Sequence, residues 1–259
     1  MKFIDIHTHV YPEKIARKAT LSVCDFYDLE TENTGTSAEL LEMGSRAGVE
    51  KYLILPVAVR PDHVHGINEF IKGECDAHSE FVGFGTVHAE MDDIVSEVEH
   101  IRSLGLHGIK MHPDTQKFDI DDRRLYPMYE EAEGKLPVYL HTGDPRYDYS
   151  HPKRLRRVLE DFPKLQTVAA HLGGWSVFDE AQEYLRDTDC LVDVSSSLMF
   201  ISPEEAVKYI RSFGTERVMF GSDFPLWDPD VEVKRFLGLP LTEAELEQIA
   251  YKTAEEFLG

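Results

Sequence analysis

The chain is short of cysteine, short of positive charge and without any long apolar run. Its three cysteines, Cys24, Cys75 and Cys190, have no C-x-x-C spacing, so no disulfide framework is written in and reduced thiols are expected. No stretch approaches the roughly 18 apolar residues that cross a bilayer. The apolar run at the amino terminus, Met1 to His7, is too short for a signal-peptide core, so a cytoplasmic protein with no membrane partner is expected. Against 48 Asp and Glu stand only 27 Lys and Arg, a formal charge of −21 with every His neutral. Nucleic acids and anionic membrane surfaces are held by clustered cations, so both are excluded as partners. A glycine-rich phosphate loop after the first apolar run is also missing. Thr8-His9-Val10-Tyr11-Pro12 stands in its place, which argues against an open, doubly wound nucleotide-binding sheet.

What is present suffices for a large core, with 42% apolar and 10% aromatic residues, and this excludes wholesale disorder. Eight short β-branched runs recur: Phe3 to His7, Tyr52 to Val57, Phe81 to Val87, Gly108 to Met111, Val138 to His141, Gln166 to His171, Leu191 to Val194 and Arg217 to Gly221. Between them the spacing turns helical. Ile94, Val95, Val98, Ile101 and Leu104 share one face and stop at Gly105, and Leu155, Val158, Leu159 and Phe162 do the same before Pro163. Thr36 with Glu39, Ser202 with Glu205 and Thr242 with Glu245 have the spacing of capping boxes. Near-continuous apolar strands such as Val138-Tyr139-Leu140 suit a parallel sheet covered on both faces. Eight of them alternating with helices predict an α/β fold, a (β/α)8 TIM barrel, as one domain over residues 1–259.

The unusual residues fall at the strand ends: His7 and His9, Lys110 and His112, His141, His171 and Asp223. In a barrel these positions share the carboxyl-terminal face, so distant residues converge on one cavity. His7 and His9 are two apart on an extended chain, and both rings point one way. With His141 and Asp223 they make three imidazoles and a carboxylate, a donor set for zinc, manganese or ferrous iron, zinc first. A single such histidine is more often a satisfied core group. Four at equivalent strand ends beside an aspartate point to a metal centre.

Phe3-Ile4-Asp5-Ile6-His7-Thr8-His9, Gly108-Ile109-Lys110-Met111-His112-Pro113, Val138-Tyr139-Leu140-His141, Ala170-His171-Leu172-Gly173-Gly174 and Phe220-Gly221-Ser222-Asp223-Phe224-Pro225 together resemble the amidohydrolase superfamily, in its amidohydrolase-2 branch. The resemblance implies a metal-dependent barrel enzyme, with His7, His9, His141 and Asp223 as ligands of one divalent cation and His171 as an acid/base residue beside it. The closing segment Ile249-Ala250-Tyr251-Lys252-Thr253-Ala254 departs from the Gly-Asn-Ala run that relatives often carry. In binuclear members a strand-4 lysine is carboxylated and bridges two metals. Lys110 with His171 fits that pattern, but Lys110 is also read as a cation for an anionic substrate or an ion-pair partner, and His112 as a pocket or loop residue.

A metal-bound water near neutral pKa, with Asp223 as general base and His171 as proton carrier, makes hydrolysis of an amide, lactone or ester carbonyl the leading expectation. Its rival within the same branch is non-oxidative decarboxylation of an aromatic or dienoic acid. A small, carboxylated molecule is the expected partner, with a homodimer left open. Arg60, Arg146, Trp175 and Trp227, together with Asp144 and Tyr147, are the substrate-binding candidates in the strand-to-helix loops, while His63 and His65 read as surface residues.

Overall fold

Each apolar run becomes a strand because both of its faces can be buried. The computed structural model, which describes residues 1–259, has strands β1 (Phe3–Thr8), β2 (Val49–Ile54), β3 (Phe81–Gly83, resuming at Gly85–Thr86), β4 (Ile109–Met111), β5 (Val138–Leu140), β6 (Thr167–Ala169), β7 (Leu191–Asp193) and β8 (Val218–Met219). Every neighbouring pair is parallel. Helices separate the strands, including α1 (Ala16–Tyr27), α2 (Ser37–Ala47), α3 (Val64–Ala77) and α4 (Ile94–Ser103). No helix is long and apolar enough to cross a membrane.

The third strand departs from expectation. It breaks at Phe84, where pairing changes hands: Phe84 N–H donates to Ile54 O on β2, and Gly85 N–H donates to Gly108 O before β4. The flanking glycines let helices approach closely, since a Cβ on Gly83 would meet Cys75 and Ile71 of α3, and one on Gly85 would meet Ile101 of α4. Strands β5 and β6 also end one and two residues early, so His141 and His171 stand just beyond them.

Closure joins β8 to β1. Ile6 N–H donates to Phe220 O at 3.0 Å, Asp223 N–H to His7 O at 2.8 Å and His9 N–H to Phe224 O at 2.8 Å. The last strand is thereby laid against the first. A small cluster of Ile4, Ile6, Leu53, Leu55, Phe84, Tyr139, Val168, Ala170 and Met219 draws on strands around the ring and is sealed by Ala254 of the closing helix, while a much larger cluster packs strands against helices. The divergent closing segment forms a π-turn over Gln248–Lys252, whose Ile249 O accepts from Phe220 N–H. Of the three predicted caps, Ser202 and Thr242 form reciprocal boxes. Thr36 caps Glu39 N–H, but the Glu39 carboxylate instead takes the N–H groups of Thr34 and Gly35.

Two stability predictions arise from this packing. In α2, a Cβ on Gly44 would lie 2.1 Å from the hydroxyl of buried Tyr52. Gly44→Ala should therefore destabilise by about 2 kcal/mol in chemical denaturation, the overpacking cost exceeding the roughly 1 kcal/mol helix-propensity gain. Glu232, on the helix Pro229–Leu237, is buried, and burial raises its carboxyl from 4.5 to about 7 despite a 3.3 Å hydrogen bond from Arg235. Below 4.5 it is neutral folded or unfolded, and between 4.5 and about 7 only the folded state keeps the proton. Its contribution to stability thus falls as pH rises through that window and stays lost above it. Glu232→Gln should raise the thermal midpoint at pH 8, by the equivalent of about 2 kcal/mol, and leave it unchanged at pH 4.

Candidate metal centre and active site

Ile109 and Met111 join the outer core, so strand alternation turns Lys110, between them, to the barrel axis, where it is fully buried. The same inward direction collects His7 from β1 and Asp193 from the end of β7. His7 Nδ1 lies 3.1 Å from Asp193 Oδ2, and Tyr139 O–H and Ser195 O–H also donate to Asp193. Burial would raise the Asp193 carboxyl, but His7, His171 and the Ser195 hydroxyl hold it well below its ordinary range. An ionised carboxylate has no proton to give. His7 Nδ1 therefore carries the ring's one proton, and its Nε2 is left as a lone pair, with the ring kept neutral as burial and the neighbouring Lys110 push its pKa to about 3. His9 Nδ1 faces the carbonyl of Leu55, which fixes the same tautomer.

Both free Nε2 atoms face Asp223. His7 Nε2 is 3.5 Å and His9 Nε2 3.3 Å from Asp223 Oδ1. The other oxygen, Oδ2, accepts from the Ser196 hydroxyl at 2.5 Å. With Asp223 ionised, three electron-pair donors converge with no proton among them. Their ligand atoms all lie within 4.8 Å of one another, and such an arrangement is repulsive unless a cation sits between them, so the residues fit a divalent ion. Lys110 Nζ, 3.3 Å from His7 Nε2 and 4.5 Å above the Tyr139 ring, is the nearby cation the chain itself supplies. Burial lowers its pKa to about 8.

His141 stands apart from this trio. Its Nδ1 is 3.0 Å from His171 Nε2, its Nε2 is 3.0 Å from Gly143 O, and it groups with His112 and Asp114. His112 stacks on it at 3.9 Å, and since its Nδ1 accepts from Thr115 N–H, its Nε2–H donates to the Tyr27 hydroxyl oxygen at 2.7 Å. His171 Nδ1 in turn faces the Ser195 carbonyl at 3.0 Å. The His141–His171 pair makes three contacts that each need a proton, while two neutral rings carry two, so the pair can accept one more. Burial keeps both rings neutral, lowering His171 and driving His141 well below its ordinary pKa.

His171, Leu172, Ser196 and Asp223 all adopt left-handed backbone, with φ from 48° to 64°. Three of these, His171, Ser196 and Asp223, line one cavity, each at a local cost of about 1 kcal/mol or more, of the kind that marks functional loops.

Above these groups opens a cavity of about 370 Å³ lined by His7, His9, His112, His141, His171 and Asp223. Its walls are aromatic. Tyr27 meets Trp175 edge to face, Trp175 meets Phe200, and Phe200 meets Trp227. Trp227 Nε1–H donates to Ser196 Oγ, whose own hydroxyl donates to Asp223 Oδ2 at 2.5 Å. Trp175 is set by its N–H bond to Thr142 O and by Gly143, where a Cβ would lie 2.4 Å from Trp175 N.

Of the loop candidates, Trp175 and Trp227 line the cavity and the two arginines do not. Arg60 pairs with Asp62 in the open, and Arg146 is spent on Asp144 and the Phe26 carbonyl. Tyr147 stacks on Phe26 outside the cavity. His63 lines the cavity although the sequence reads as surface there, and Lys110 does not line it, its Nζ lying 3.3 Å from His7 Nε2. Sequence reasoning passed over Asp193, although an acid inside Leu191-Val192-Asp193-Val194 was a signal. Tyr27 carried none, because it reaches the floor from a helix inserted after β1.

Comparisons with known proteins agree with this architecture. The chain is 24% identical over 223 residues to the decarboxylase OrsB of Emericella nidulans, a match covering 66% of this chain and 65% of that relative's length. An uncharacterized TIM-barrel protein of Bordetella bronchiseptica superposes with a TM-score of 0.84 at 21% identity, over 100% of this chain and 98% of its own. A dihydroxybenzoic acid decarboxylase of Polaromonas, solved with bound manganese and the inhibitor 2-nitroresorcinol, gives a TM-score of 0.77 at 15% identity, over 99% of this chain and 96% of its own. The amidohydrolase family profile matches residues 4–259. A barrel closed so that two N-terminal imidazoles meet a late aspartate, matched from end to end by that profile, places this chain in the amidohydrolase family, in its amidohydrolase-2 branch.

Proposed function

We propose that the protein is a metal-dependent, non-oxidative decarboxylase of a small hydroxylated aromatic acid. The observation that carries this reading is the convergence of His7 Nε2, His9 Nε2 and Asp223 Oδ1 beneath an aromatic slot. His7, His9 and Asp223 would hold one divalent ion, with His141 as the expected fourth donor. Zinc is the ion the sequence favours, and manganese is the one bound by the Polaromonas decarboxylase. Such an ion supplies a fixed positive charge that binds and polarises an anionic oxygen pair.

The chain's own groups do the rest. Tyr27, Trp175, Phe200 and Trp227 offer flat apolar surface to a ring. No arginine or lysine lines the cavity, so the carboxylate must be directed to its metal-binding floor. In the reaction one proton is added to the ring carbon, the bond from that carbon to the carboxylate breaks, and carbon dioxide leaves. Asp223, a ligand through Oδ1, would carry that proton at Oδ2, where the Ser196 hydroxyl steadies it, and His171 would relay it.

Hydrolysis of an amide, lactone or ester carbonyl by a metal-activated water was the leading expectation from the sequence. The decarboxylase relatives favour the lyase instead. Incubating manganese- or zinc-loaded protein with a panel of hydroxybenzoates and following carbon dioxide release tests the proposal. Turnover of lactones or amides without carbon dioxide from any acid would reverse the assignment.

A further inference from the structure

Helix α3 presents two faces. Gly66, Ile67, Phe70 and Ile71 line the active-site cavity. His65 and Glu69, one turn apart, share another side and meet Glu97 and His100 of α4. We propose that this α3–α4 crossing is a second divalent-metal site, of the zinc class, held by His65, Glu69, His100 and Glu97, and that its ion clamps the cavity wall to the neighbouring helix.

Four features carry the inference. Ligand atoms of His65, Glu69 and His100 all lie within 4.8 Å of one another. His100 Nε2 is shielded from solvent and makes no hydrogen bond, although Glu69 Oε1 is 2.9 Å away. Glu97 is only 7% exposed; its Oε1 accepts from Asn68 Nδ2 at 2.7 Å, which leaves Oε2 turned to His65 Nδ1 at 3.5 Å. The imidazoles of His65 and His100 stack at 4.4 Å, bringing rings from two helices side by side.

Two ligands of one tetrahedral ion, each bonded at ~2.0–2.1 Å, stand about 3.3 Å apart. The two His–Glu separations, 2.9 and 3.5 Å, bracket that value. Ordinary surface pairing explains these contacts less well, because a plain hydrogen bond would satisfy His100 Nε2. Two imidazoles with carboxylates suit zinc, cobalt or nickel rather than magnesium or calcium. Buried Asn68, which also exchanges hydrogen bonds with the backbone of Thr86 on β3, fixes Glu97 from behind, as outer partners do around metal ligands.

The site shares no residue or strand with the His7 cluster, so it can be tested independently of the proposed reaction. Full-length protein stripped by chelator is titrated calorimetrically with zinc, and separately with cobalt(II) while d–d absorbance is read. The wild type should take up one equivalent more than the His65→Ala/His100→Ala variant, whatever the His7 cluster itself binds. Zinc should raise the thermal midpoint of the wild type by more than that of the variant. Glu69→Gln, a single exposed change that keeps the helix, should weaken the extra equivalent about tenfold. Equal uptake by wild type and double variant overturns the site, and extra uptake with no difference in thermal shift overturns the clamp.

Discussion

Asp223→Asn should fold as the wild type does and lose decarboxylation by about a thousandfold, the scale of a positioned proton-transfer group. The amide is isosteric, and its oxygen can still accept from Ser196, so the Trp227–Ser196 bond and the β8–β1 seam stay in place. What is lost is a carboxylate that can take and give a proton and, with the amide oxygen on Ser196, the ligand oxygen at the Oδ1 position, so the comparison is made at saturating metal. Unchanged thermal midpoints with kcat reduced at saturating metal would assign the loss to chemistry. Residual turnover within tenfold of wild type would remove Asp223 from its proposed role.

Removing the metal should have an equal effect by another route. Without an ion, His7 Nε2, His9 Nε2 and Asp223 Oδ1 set three lone pairs against one another at 3.3–3.5 Å. Chelation should therefore abolish carbon dioxide release, and one equivalent of manganese or zinc at the centre should restore it. The ion should also stabilise the fold, by about 2.7 kcal/mol at a hundred times its dissociation constant. His7→Ala should lose both responses, since it deletes a ligand and frees the Asp193–Tyr139–Ser195 network behind it. Activity that survives exhaustive chelation would rule out the proposed chemistry. A gain of metal with no gain of activity would retain the centre and reject the reaction.

The barrel was legible because its signal is local and repeated. Alternating apolar runs and helical faces each report burial within a few residues, and eight of them allow few arrangements. The broken third strand was not legible, because its interruption at Phe84 arises from a change of pairing partner, a non-local event. Strand-end chemistry was half legible. His7, His9 and Asp223 meet as expected, whereas Arg60 and Arg146, plausible anion binders by type, are neutralised by aspartates two residues away. Asp62 and Asp144 were in plain view, but whether such a neighbour pairs or points elsewhere depends on the turn between them.

The sequence by itself determined the repeat of strand and helix, the family, and which side chains would stand at the strand ends, since each follows from residue type and spacing. Tertiary structure alone decided which of those side chains share a point. Closure bonds β8 to β1 and so sets Asp223 beside His7, across 216 positions of chain. Likewise Asp193 fixes the tautomer of His7 from the far wall of the barrel, and Tyr27 descends from an inserted helix onto His112. These outcomes depend on distances through space, and no local pattern of residues encodes a distance of that kind.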